Sequence, residues 1–167
     1  MNEHVEILVE VKPNALMNFL KLILWGVCAI SVISMFLGMF GMIVPLIVAA
    51  AAGVGAYFIG LRVNIEYEYT LTDKELDIDV IFSKEKRKHI ITYDLSKLEI
   101  MAPVKSHELD SYRNRQVDIK DYTSRYGENE RLQYLMYIDG QMAASFEPDE
   151  QLITAIKNIA PRKVFTY

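Results

Sequence analysis

Residues 22–61 read LILWGVCAISVISMFLGMFGMIVPLIVAAAAGVGAYFIGL, a run without a charged side chain, closed by Lys21 on one side and Arg62 on the other. As one helix rising about 1.5 Å per residue it would be roughly 60 Å long, twice the hydrocarbon thickness of a bilayer. Gly38, Gly41 and Pro45 interrupt it near the middle. Split there, it gives two segments of about twenty residues, each long enough to cross once. The sequence therefore predicts a transmembrane helical hairpin over 14–61, with helices at about 15–37 and 43–61. A cleaved signal peptide has a basic start and a shorter apolar core; here Glu3, Glu6 and Glu10 precede a far longer run. Helices buried in a soluble core keep some polar residues, and these segments hold almost none.

Working outward, the charge sits on the flanks. The chain is 51% hydrophobic and 24% charged, with a formal net charge of -4. That balance argues against general nucleic-acid binding, which needs a positive field. Cys28, the only cysteine, lies inside the first apolar segment, so no disulfide framework forms within one chain. Both tails of a hairpin emerge on one side. Lys12, Lys21 and Arg62 flank that side and the connecting turn has no basic residue, so the positive-inside rule places both termini in the cytoplasm of a multi-pass cell-membrane protein. Ala49, Ala52, Gly53, Ala56 and Gly60 form a small-residue stripe on the second segment, and Ser31, Ser34, Gly38 and Gly41 on the first. Such stripes let helices approach closely. Packing of the hairpin on itself is the plain reading, and homodimerisation the functional one. No ionisable residue sits at bilayer depth, so nothing suggests an ion pathway.

After Arg62 the period becomes two. Ile65, Tyr67, Tyr69 and Leu71 alternate with Glu66, Glu68, Thr70 and Thr72, the mark of a half-buried strand. Asp73-Lys74-Glu75 is a turn, and Leu76, Ile78, Val80 and Phe82 continue the alternation. A turn over 83–88, a strand over 89–95 and a strand from Leu98 through Val104 complete an expected four-stranded antiparallel meander. The polar stretch 105–116 reads as a loop. Strands over 117–123, 131–139 and 141–147 follow, joined by Gly127-Glu128-Asn129-Glu130 and by Asp139-Gly140, a strong hairpin signal. Leu152, Ile153, Ile156 and Ile159 then mark one face of a helix over 149–160, with Asp149 and Glu150 at its start and Pro161 at its stop. The soluble domain so defined is 62–167. In the segment 1–13, Val5, Ile7, Val9 and Val11 alternate with Glu6, Leu8 and Glu10, which suits a short strand able to pair with an edge of that domain. Pro13-Asn14 ends it and starts the first membrane helix.

Four strands, three strands and a terminal helix resemble a pleckstrin-homology-like split barrel. Tyr69-Thr70-Leu71-Thr72-Asp73 with Leu76 and Ile78 is similar to the first hairpin of bacterial PH-like domains, and 91–98 to their third strand and the step beyond it. Phe146-Glu147-Pro148 with Leu152 and Ile156 resembles the approach to their capping helix. Two membrane segments before such a domain also match small bacterial membrane proteins, an uncharacterised family. The resemblance implies a membrane α-helical hairpin plus a mainly-β soluble domain, a seven-stranded PH-like split barrel with a C-terminal capping helix. It implies no catalytic residue.

The chemistry-bearing residues point the same way. His4, His89 and His107 have no second histidine or cysteine at metal-ligand spacing. Ser106-His107-Glu108 are neighbours in a loop, whereas a triad is assembled across a fold. Asp73, Glu75, Asp77 and Asp79 lack the turn glycine of a calcium loop. No enzyme, metal or cofactor is expected. One cluster stands out: Lys84, Lys86, Arg87 and Lys88 in the turn after the second strand. If the linker after Arg62 is short, that turn returns beside the bilayer, where each cation gains about 1 kcal/mol from an anionic leaflet. The expected function is a membrane-anchored interaction module presenting its domain to a protein partner. The alternative is an anionic-lipid sensor acting through 84–88. For topology, a cysteine replacing Gly41 should react with an impermeant reagent on intact cells, and one replacing Asp139 should not; the reverse pattern inverts the orientation.

Overall fold

The structure, a computed structural model, describes residues 4–38, 41–126 and 133–166. It forms two compact units. Lys12–Ile65 and Phe82–Lys86 make one; Met1–Val11, Glu66–Ile81 and Arg87–Tyr167 make the other.

The first unit is a helical hairpin, α1 (Ala15–Phe36) and α2 (Ile43–Val63). Both helices are long and apolar enough to cross a membrane. Asn14 caps α1, its side chain accepting the Leu16 N–H at 2.9 Å. Gly38 and Gly41 sit at φ 63° and 67°, left-handed values that favour glycine. Pro45 falls in the first turn of α2, where it removes no helical hydrogen bond. The small residues serve the contact between the helices. Ser31, Ala52 and Ala56 are buried. A Cβ on Gly55 would lie 3.4 Å from Leu24 Cδ1, and one on Gly60 3.5 Å from Lys21 Cε.

The second unit holds two four-stranded sheets and a helix. One sheet has the order β1 (His4–Glu10), β2 (Ile65–Thr72), β3 (Glu75–Phe82), β4 (Lys86–Asp94). The other has β5 (Leu98–Pro103), β7 (Tyr134–Ile138), β8 (Met142–Phe146), β6 (Ile119–Asp121). The N-terminal strand thus joins the domain, pairing antiparallel with β2 from His4↔Thr72 to Glu10↔Glu66. The described residues therefore contain eight strands rather than seven. The four-stranded meander is also corrected. Leu95–Lys97 forms a 3-10 turn capped by Asp94, which accepts from Ser96 N at 3.0 Å and Ser96 Oγ at 2.6 Å. Buried Leu95 pins this corner, and β5 departs into the second sheet against β7. Nor is the second sheet wholly antiparallel, since β6 runs parallel to β8. Asp139-Gly140 makes the tight hairpin turn its sequence indicates, with φ 55° and 66°. The turn expected at 127–130 and the strand start at 131 lie outside the described residues.

Residues 105–116 fold over the second sheet instead of forming an open loop. They contain a 3-10 turn (His107–Leu109) and a short helix, α3 (Asp110–Arg113). Leu109 is buried in a cluster with Ile100, Leu135 and Tyr137. Tyr112 packs on Tyr137 with ring centroids 5.2 Å apart, and the Arg115 guanidinium lies over Tyr112 at 4.2 Å. The main core lies among Tyr69, Leu71, Ile78, Tyr93, Met136 and Phe146.

The C-terminal helix α4 (Glu150–Ile159) faces that core with Leu152, Ala155 and Ile156, all buried. Asp149 caps it by accepting the Leu152 N–H at 2.7 Å. Burying a side chain the size of Ile156 stabilises by about 1.5–3 kcal/mol. Ile156→Asp loses that and buries an unpaired charge, so a destabilisation of several kcal/mol is expected. Thermal unfolding of the full chain in detergent checks it; an unchanged midpoint would deny α4 its place on the core.

Candidate functional site

The basic cluster expected at 84–88 is shaped by an unusually tight turn. Ser83 and Lys84 carry φ 50° and 60°, and Glu85 N–H bonds Phe82 O at 3.0 Å. Two consecutive left-handed residues define the turn that matches strand twist, ordinarily built from Asn and Gly. Here Ser83 is held by the end of α2. Its N–H donates to Asn64 O at 2.7 Å and its hydroxyl to Gly60 O at 3.1 Å. These bonds offset the backbone strain and also satisfy a carbonyl that a helix end leaves open. Because only Ser83, Lys84 and Glu85 separate β3 from β4, Lys86, Arg87 and Lys88 belong to β4 rather than to a loop.

The four cations then separate. Lys84 and Lys86 belong to the hairpin unit, and both are exposed. Lys88 is exposed on β4. Arg87 is committed elsewhere: its Nη2 donates to Glu68 Oε1, and Glu6 Oε1 and Asp79 Oδ2 each lie 4.0 Å from the guanidinium. Beside it His89 Nδ1 lies 2.7 Å from Asp79 Oδ1, and Thr92 donates to Asp77. The polar side chains of four adjacent strands thus meet in one network. Asp77 and Asp79 of β3, two of the acidic residues that lack a calcium-loop pattern, are part of it.

Glu68 is the residue that sequence reasoning missed. Strand alternation assigns it to the polar half with Glu66 and Thr70. Yet its side chain is 1% exposed, because strands on both sides crowd it. Burial raises the Glu68 carboxyl above the ordinary carboxylate range, and the nearby Glu6 carboxylate adds to that, while Arg87 opposes it. No period in the sequence separates it from Glu66 and Thr70, which are only half-buried.

The other residues singled out by sequence stay apart. Ser106 accepts the Glu108 N–H at 3.3 Å as the cap of its 3-10 turn, and His107 pairs with Glu108 at 3.1 Å. Ser106 thus caps a turn, and His107 lies against Glu108 at the surface. His4 stands near Thr72 and Glu6 at the far end of β1.

Among the described residues Arg87 is the one cation bonded to Glu68, so Arg87→Ala leaves a buried carboxylate without that donor. A cost of about 1–3 kcal/mol at neutral pH is expected. The cost should shrink as pH falls, since a protonated Glu68 needs no cation. Denaturant titrations of wild type and variant at two pH values check the sign.

The comparisons with known proteins concern the whole chain. No curated protein and no solved structure matches it. Residues 1–166 match the family model described as "Bacterial PH-like domain (DUF6106)". That span takes in β1, the apolar hairpin, both sheets and α4, and the chain belongs to this bacterial PH-like domain family.

Proposed function

We propose that this chain is a membrane-anchored, non-catalytic interaction module that presents its PH-like domain to a protein partner on the cytoplasmic face, with both termini on that side. Membership of a PH-like family supports a binding role, and the apolar pair α1 and α2 supports anchorage. The observation that carries the reading is the edge of the first sheet. β4 ends that sheet, and its first five residues, Lys86 to Ile90, are all exposed. An edge strand offers unpaired backbone groups to an added strand. Its cations discourage indiscriminate pairing and favour an acidic segment. The family fold in its finer form, a split barrel of two sheets closed by α4, would leave this edge outside the closure.

A photo-crosslinker placed at Ile90 in the full chain should capture a discrete protein adduct in native membranes, whereas one at Lys157 on α4 should not. Equal capture at both positions, or lipid adducts alone, would overturn the reading.

The second reading, contact with anionic lipid, rests on Ser83. Its bonds to Gly60 and Asn64 hold the basic turn at the end of an apolar helix. That reading relies on Lys84, Lys86 and Lys88, all exposed. Their reactivity towards an amine-modifying reagent should fall in anionic nanodiscs relative to neutral ones. The difference should fade with salt, because a surface field decays over about 8 Å at physiological ionic strength. Equal reactivity in both lipids rejects lipid contact.

A further inference from the structure

The Glu68 carboxyl presents a bonding problem that the described side chains do not solve as charges. Its Oε1 accepts from Arg87, but its Oε2 is buried without a hydrogen-bond partner. Three carboxylates face one guanidinium here: Glu6 from β1, Glu68 from β2 and Asp79 from β3, against Arg87 from β4. His89, also from β4, pairs with Asp79. His4 lies 4.0 Å from Glu6; the His4 side chain is mostly exposed and that of Glu6 half exposed. A buried carboxylate oxygen with no donor costs several kcal/mol, and such a group takes up a proton instead. Across the ladder Leu8 is the residue directly opposite Glu68, and Glu6, opposite Thr70, is its diagonal neighbour and shares Arg87 with it.

We propose that Glu6 and Glu68 hold one proton between them in the folded sheet, and that this proton helps fasten β1 to β2. With the proton on Glu68, Oε2–H donates to the Glu6 carboxylate, and the orphan oxygen becomes a charge-assisted donor. Arg87 keeps Oε1 in either state. The two carboxyls titrate as a pair, so the proton belongs to the contact rather than to one residue. It is present only while β1 is docked. Once the strand detaches, both carboxyls face water and ionise at about pH 4.3.

The sign follows from linkage. Burial and the Glu6 contact raise the docked carboxyl above its undocked value. The proton's contribution to docking is therefore complete below the undocked pKa and lost as pH rises through the docked one. Between the two, docking weakens about tenfold per pH unit. Above both, three carboxylates share the one Arg87, and β1 is held without the proton, by its backbone ladder, its apolar side chains and the Glu6 contact with Arg87.

Hydrogen exchange of the full chain in neutral-lipid nanodiscs, followed by mass spectrometry between about pH 5 and 9, tests this once intrinsic exchange rates are removed. Protection of residues 4–10 should fall about tenfold per pH unit through a window above the ordinary carboxyl range. Protection of β7 should stay level. Glu68→Gln should abolish the slope, since an amide donates at every pH. Glu6→Gln should abolish it too, because the new amide supplies Glu68 Oε2 with a donor; Glu6 is half exposed, so this variant keeps the test valid if Glu68→Gln does not fold. In isotope-edited infrared spectra of the glutamate-labelled chain, a protonated-carboxyl band persisting above the ordinary range should vanish in both variants. Parallel pH responses of β1 and β7 would overturn the proposal. So would a slope retained in Glu6→Gln, or no such band in the wild type.

Discussion

Seven antiparallel residue pairs between β1 and β2 bring together two stretches of chain that the whole helical hairpin separates. The rest of the first sheet is built on this ladder, since β3 and β4 follow β2 outward in turn. Closing so long an excursion has an entropic cost that grows only slowly with its length, as (3/2)RT ln n. The hairpin lowers that cost further. Two antiparallel helices of similar length return the chain to the level at which it left, so Lys12 and Ile65 are brought to one end of the same unit.

The same ladder places acidic residues in an awkward position. Strand alternation puts Glu6 and Glu68 in the polar half of their strands, yet β3 and β4 add Asp79, Arg87 and His89 to the same neighbourhood. A carboxylate that one strand would leave in water becomes buried when four strands assemble. This polar network joins the edge strands β1 and β4 across the sheet, in addition to the apolar core against which Val5, Ile7, Val9 and Ile91 pack. The second sheet is stabilised differently. Every residue of β7 is buried, with the main core on one side and the segment carrying Leu109, Tyr112 and Arg115 on the other.

How far the sequence discloses this depends on the range of the interaction. The hairpin is legible because charge is absent over a length that only a bilayer or a long buried helix explains, and because Gly38, Gly41 and Pro45 mark the break. The strand at the N-terminus and the helix capped by Asp149 are legible from period alone. Three features are not. The step of β5 into the second sheet depends on Leu95 and Asp94 forming a corner, which alternation does not register. The parallel pairing of β6 with β8 is a contact between distant segments. The turn at Ser83-Lys84 lacks the Gly or Asn that usually signals two left-handed residues, because Gly60 and Asn64, far away in sequence, supply the compensating bonds. Glu68 belongs to the same class: its burial is the work of neighbours on other strands.

The position of β1 has a consequence for how the molecule is made. A chain synthesised from its N-terminus releases β1 before either helix and long before β2, so the first strand of the sheet has no partner while the hairpin is being threaded. It waits as an unpaired segment whose apolar residues Val5, Ile7 and Val9 are open to other proteins. The domain cannot complete its first sheet until α2 has ended and β2 has emerged. Biogenesis is therefore ordered, with the ladder that fastens the sheet also reporting that both helices are in place.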